Sequence, residues 1–203
     1  LPVEMQLHDA QAAFNFASLV RDGQPDHHAQ RVLQRICEES GIGPAPCLHL
    51  RQFVTTRMMS GQAMPRDADA LLAIALPEID ADHRQALAGH CVVLPLPTLV
   101  NANTSTLALL SAELPDSPLE QVRSVLAERD SGRYFLNAGD IAFRLRMTQA
   151  QAAETQLGIH SEWFLAEGRV QADAVSVPFQ ALIWREHRDL GIRVQRMWTR
   201  IGT

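Results

Sequence analysis

Five side chains in this sequence are of the kinds that hold a metal or serve as nucleophile and base: Cys37, Cys47, His49, His90 and Cys91. A metal site needs ligand pairs that one turn of chain can present, as in Cys-x-x-Cys or His-x-x-x-His, and no such pair occurs. Cys37 falls on the apolar stripe of an expected helix, where a thiol acts as a small hydrophobe. His27 and His28 are helical neighbours pointing about 100° apart, so they do not chelate together. His90 and Cys91 are adjacent on extended chain and face opposite sides, which separates that base from that nucleophile. There is no Gly-x-Ser-x-Gly elbow, and Gly41-Ile42-Gly43 runs into Pro44 rather than a phosphate-cradling helix. Glu78, Asp80 and Asp82 gather at a helix start, where carboxylates serve the dipole and the cap. The expectation is a chain without a catalytic residue, metal site or cofactor of its own, and not catalytic alone.

Composition narrows the remaining classes. The 203 residues are 46% hydrophobic and 20% charged, ordinary values for one larger or two smaller globular domains. The net charge of -5 disfavours bulk affinity for nucleic acid or an anionic membrane and favours a basic partner such as a cationic peptide. All 18 basic residues are arginine. A GC-rich bacterial genome accounts for that, and a secreted effector avoiding reactive amines is the alternative. Without lysine there is no Schiff-base amine or phosphate-loop cation. Three irregularly spaced cysteines fit reduced thiols, and no apolar run reaches the length of a membrane span; together these point to the cytoplasm.

The expected architecture is α+β: a helical N-terminal domain (1–94), an irregular linker (95–117) and a winged-helix-like domain with a β-hairpin (118–203). Asp9 is expected to cap a helix through Val20, and Pro25-Asp26 to open one carrying Ala29, Val32, Leu33, Ile36 and Cys37 inward. Further helices are expected over Leu48–Met59, from Asp67 and from Asp80 to Gly89. Ser117-Pro118-Leu119-Glu120 and Thr148-Gln149-Ala150-Gln151 read as capping boxes, with Leu119, Val122 and Leu126 inward after the first. A short helix spans Asn137–Leu145 between them. Strands follow near 175–177, 180–185 and 192–197, the last two joined by a loop over 186–191.

Three helices and a hairpin invite a DNA-binding reading, with Arg144, Arg146, Arg185, Arg188, Arg193, Arg196 and Arg200 toward a backbone. The candidate recognition helix offers Gln149, Gln151, Glu154 and Gln156 but no cation, so a winged-helix regulator stands as an alternative.

Leu7-His-Asp-Ala-Gln11-Ala-Ala-Phe14, continuing to Leu19 and Asp22-Gly23, resembles the opening helix of one bacterial family. Its members are non-catalytic partners of iron-containing TIM-barrel oxidases that modify cysteines in ribosomally made peptides, including the methanobactin-forming system. Leu182-Ile183-Trp184-Arg185 with Ile192-Arg193-Val194 resembles that family's closing hairpin, whereas its Tyr-Arg-x-Asn segment is absent. The resemblance implies an accessory subunit in a heterodimer, with iron in the partner enzyme and no catalytic residue carried over. Such a subunit would help present a basic leader peptide for modification. Trp184, Ile192, Arg193, Val194, Arg196 and Trp198 are the residues expected to bind peptide or partner, by strand addition at the hairpin edge.

Overall fold

Val3, Met5 and Leu7 alternate with Glu4, Gln6 and His8, the two-residue period of a strand, and Val3–Asp9 forms one, β1. The computed structural model describes residues 2–172, 175–188 and 191–202. The helix expected after Asp9 is replaced by two 3-10 turns (Ala10–Ala12 and Phe16–Leu19) and two-residue strands, β2 (Phe14–Asn15) and β3 (Val20–Arg21). The cause is long-range competition for the backbone. Phe14 N–H donates to His90 O at 2.8 Å, and Asn15 accepts from the amides of Ala17 and Leu94 while donating to Leu96 O. Residues 14–20 are buried on every side, which an amphipathic surface helix does not achieve. The segment that resembles the oxidase partners' opening helix is therefore a strand and a 3-10 turn.

From β4 (Gln24–Pro25) onward, local signals dominate. The side chains of Asp26, Asp67 and Asp80 cap α1 (His27–Glu39), α3 (Ala68–Ala75) and α4 (Ala81–Ala88), each accepting the amide three residues on. Helix α2 (Pro44–Met59) starts four residues before the expected Leu48, with proline in its first turn. Cys37 and Cys47, expected as reduced thiols, form a disulfide. The turn through Gly41, at φ 72°, brings the end of α1 and the start of α2 to a Cα–Cα separation of 6.1 Å at these cysteines.

Cys91–Val92 is β5, parallel to β2. The expected linker is structured: β6 (Val100–Asn101) is followed by α5 (Leu107–Glu113), capped by Thr106. Helix α6 (Leu119–Asp130) begins after Pro118, but the Ser117–Glu120 box is not made and Leu119 is half exposed. Asn137 caps α7 (Ala138–Arg144) and Thr148 makes the expected box on α8 (Gln149–Glu154). β7 (Leu157–Gly158) then pairs in parallel with β6.

The end of the chain is strand: β8 (Trp163–Ala172), not expected from the sequence, β9 (Val175–Arg188) and β10 (Gly191–Ile201). Part of the expected hairpin loop, Asp189 and Leu190, lies outside the described residues. Pro178 does not split β9, because its carbonyl accepts from Gly202, just past the last paired residue of β10. Its missing N–H therefore falls where that ladder ends.

The α+β class holds, while the winged-helix detail is not confirmed. The chain forms two compact units, one from its start to Gln11 and again from His160 onward, the other Ala12–Ile159. In the first, an antiparallel sheet has the order β1-β8-β9-β10. The second holds α1–α8 around a core that includes Phe14, Leu33, Leu50, Leu72, Leu110 and Leu126.

Candidate functional site

The six residues expected to bind a partner lie on β9 and β10, but on both faces of the sheet. Cross-strand partners share a face. Val194 opposes Arg185 and Arg196 opposes Ile183, which groups Ile192, Val194 and Arg196. Trp184 opposes Gln195 and Trp198 opposes Leu182, which groups Trp184, Arg193 and Trp198 on the other side. Simple alternation would place Arg196 and Trp198 together; a β-bulge between them resets the count. Trp184 stacks on Trp163 with ring centroids 5.8 Å apart, so it packs within the sheet as well as bordering its surface.

The face carrying Ile192 and Val194 also carries Arg185 and Arg196, and is apolar along the rows that reach Val3 and Met5 of β1. Register sets Val3 beside Val170 and Val177, and Met5 in a row with Gly168, Phe179 and Ile201. Val3, Met5, Leu7 and Ile201 are each more than half exposed, and a contiguous apolar patch of this kind marks an interaction surface. Gly168 lets β1 approach: a Cβ there would lie 2.9 Å from the Phe179 ring and 3.0 Å from Met5 Cα, and would collide with Glu4 O.

In the helical unit, the chemistry-bearing groups hold structure. Asn101 and Asn103 organise the turn after β6: Ser105 Oγ donates to Asn101 O at 2.6 Å, and Asn103 exchanges bonds with both backbone groups of Phe135. Arg129, buried on α6, donates to Ala102 O at 2.9 Å and Ser105 O at 2.7 Å, and pairs with Asp130. Sequence reading missed this network. Its signal is the Val100-Asn101-Ala102-Asn103-Thr104 run, polar residues too regular for a linker.

A second node joins α1 to the rest. His28 Nε2 lies 2.6 Å from Glu113 Oε2, both side chains largely buried, and Glu113 accepts the Gln156 amide at 3.4 Å. Gln156 Nε2 donates to Asp26 at 2.8 Å. Burial works against the Asp26 carboxylate, but the Ala29 amide, Arg21 and Gln156 outweigh it and hold its pKa below the ordinary value. The recess beside this node is lined by His28, Arg31, Glu113, Met147 and Glu154, and its charges are matched internally, Arg31 facing Glu154 at 3.6 Å.

Cys91, the remaining thiol, is buried, and burial pushes its pKa above the usual range, which makes it inert as a nucleophile. Among the described residues no group of three or more His, Cys, Asp or Glu side chains is placed to hold a metal, and no helix is long and apolar enough to cross a membrane.

Two comparisons bear on this arrangement. The family model described as "Type II secretion system (T2SS), protein K" matches residues 100–160, the span that contains the Asn101–Arg129 network. Among solved structures, the chain is similar to one in the GspK-GspI-GspJ complex of the enterotoxigenic Escherichia coli type 2 secretion system, at 14% identity and a TM-score of 0.73. The match covers 99% of this chain and 80% of that one. The two share a fold. No curated protein matches.

These findings correct the functional expectations. What the chain matches is a type II secretion family model and a chain of a type 2 secretion complex, not the accessory subunits of iron-dependent peptide-modifying oxidases or proteins of peptide modification. The expected partner enzyme and leader peptide fall with that reading, as does the winged-helix regulator. The effector alternative, resting on missing lysine alone, gains nothing from either comparison. The resemblance misled because a Leu-x-x-x-Gln-x-x-Phe pattern and a Trp-Arg hairpin are common consequences of amphipathic patterning.

Proposed function

We propose that this protein is a minor pseudopilin-like component of a type II secretion system, working by non-covalent assembly with other pseudopilins. The likeness of the whole chain to one in the GspK-GspI-GspJ complex carries this reading, and the family match over 100–160 supports it independently. The chemistry agrees. The functional groups in the helical unit brace loops and helix ends, and the sheet presents an apolar face of Val3, Met5, Leu7 and Ile201 on which another polypeptide segment packs. A disulfide closing α1 onto α2 suits an oxidising compartment, where such bonds persist.

The test is co-expression with the I-type and J-type pseudopilins of the same organism, followed by size-exclusion chromatography with light scattering. A stoichiometric complex, together with loss of type II secretion on deleting the gene, is expected. Elution of the chain alone with secretion intact in the deletion strain refutes the assignment.

A further inference from the structure

Helix α8 differs from the other helices in burying nothing. Within Gln149–Glu154 only Gln151 is partly covered, and the remaining residues are exposed. An isolated helix this short does not persist in water, because nucleation costs more than one turn of hydrogen bonds returns. What holds α8 is its two ends. Thr148 and Gln151 close the capping box at the start, the Thr148 amide donating to Gln151 Oε1 at 2.7 Å. Just upstream, Leu145 is buried and the Met147 amide bonds to Ala142 O at 2.9 Å. Beyond the other end Gln156 is buried, accepting the Val100 amide on its carbonyl at 2.7 Å and donating from its side chain to Asp26 at 2.8 Å.

Between these anchors α8 is tied to the rest of its unit by exposed polar groups. Gln151 Nε2 donates to Asp116 at 3.5 Å, and Glu154 lies 3.6 Å from Arg31. Contacts of this kind in open solvent add little stability. Yet α8 stands beside a pair that is otherwise closed off. Gln151, Glu154 and Thr155 form one wall of the recess that His28 and Glu113 line, together with Leu114 and Met147. The His28 side chain is 12% exposed and that of Glu113 3%. The helix with the least packing thus walls the buried histidine–carboxylate pair.

We propose that α8 is a strap, lifting as a unit about Thr148 and Thr155 while Leu145 and Gln156 stay seated, and opening the His28–Glu113 pair to solvent. Both hinge residues are already in extended backbone, so the helical turn between them is the part that moves. Low-stability segments of this sort open locally without the core. The helical unit then has two states, and any ligand or subunit that prefers the open recess shifts the balance by its differential affinity. The inference stands on the fold alone and is independent of the proposed place in a secretion assembly.

The experiment is hydrogen exchange by mass spectrometry on the whole chain, alongside carbethoxylation of histidines mapped by peptide; the chain has no lysine to compete for that reagent. Amides of residues 152–155 are expected to exchange on the order of a hundredfold faster than those of α1 and α6, relative to unstructured peptides. Ala152→Gly alters an exposed residue and lowers helix propensity, so it is expected to raise the exchange of α8 about fivefold. Modification of His28 should rise by the same factor, because both report one opening. Exchange of α8 no faster than that of α6 shows that it opens only with the whole unit, and overturns the strap. Faster α8 exchange with His28 modification unchanged by Ala152→Gly shows a helix fraying in place, and overturns it equally.

Discussion

Arg129→Met removes a buried fork while keeping much of its aliphatic volume. The guanidinium donates to two carbonyls, Ala102 O at 2.9 Å and Ser105 O at 2.7 Å, at a residue only 8% exposed. Hydrogen bonds from a charged donor each contribute about 1.5–3 kcal/mol, and acceptors left dry inside a protein incur their full desolvation cost. Asp130, which also pairs with Arg129, is largely exposed and adds little. Packing by the methionine methylenes recovers part of the loss, so the expected destabilisation is about 3–5 kcal/mol. For a unit of this size that lowers the melting temperature by roughly 10–15 °C. The assay is thermal unfolding followed by circular dichroism at 222 nm, where the helical unit dominates. Arg129→Lys should fall in between, since one ammonium cannot imitate the planar fork. A shift below about 2 °C for Arg129→Met refutes the argument that this arginine holds the Asn101–Ser105 turn.

Three further outcomes are expected. Thiol titration in denaturant without reductant should find one reactive cysteine per chain, Cys91, and three after reduction; three before reduction refutes the Cys37–Cys47 bond. Gly168→Ala should cost about 1–3 kcal/mol and detach β1 first, read as faster hydrogen exchange over residues 3–9; unchanged protection there contradicts the close approach. Asp26→Ala should cost about 1–2 kcal/mol at neutral pH through loss of the α1 cap. Because the folded-state pKa of Asp26 lies below its unfolded value, its contribution is complete above the unfolded pKa and disappears as pH falls through the folded one. Denaturant melts should therefore show the wild type and variant converging in acid, and a gap that widens there contradicts the linkage.

Which elements could be read from sequence follows from where their hydrogen bonds end. Helices α1, α3, α4, α7 and α8 are announced by Asp26, Asp67, Asp80, Asn137 and Thr148, each capping amides within three residues of itself. Residues 10–21 carry an equally convincing helical pattern, but the groups that satisfy Phe14 and Asn15 lie about eighty residues away, beyond any local signal. β8 was missed because Trp163, Leu165, Phe164 and Ala166 put apolar side chains on both of its faces, which erases the alternation that identifies a half-buried strand. The hairpin was found, and its surface misdrawn, because one bulge between Arg196 and Trp198 exchanges the faces beyond it. Asn101, Asn103 and Arg129 were legible only as polar residues; that they lock together depends on α6 folding back onto the turn after β6.

The pairing of β1 with β8 has a consequence for the order in which the polypeptide acquires its shape. Asp9 and Phe164 are partners in the ladder, yet residues 10–163 intervene. Closing that span in a disordered chain costs about 4–5 kcal/mol of entropy by the logarithmic scaling of loop length. One short strand cannot meet that cost before its neighbours are organised. Of the four strands of this sheet, β1 is thus the first to be made and among the last to find its place, waiting for β8 to be made more than 150 residues later. Interruption of synthesis anywhere within 12–159 leaves β1 without β8, the strand it pairs with in this sheet, and its backbone groups bare.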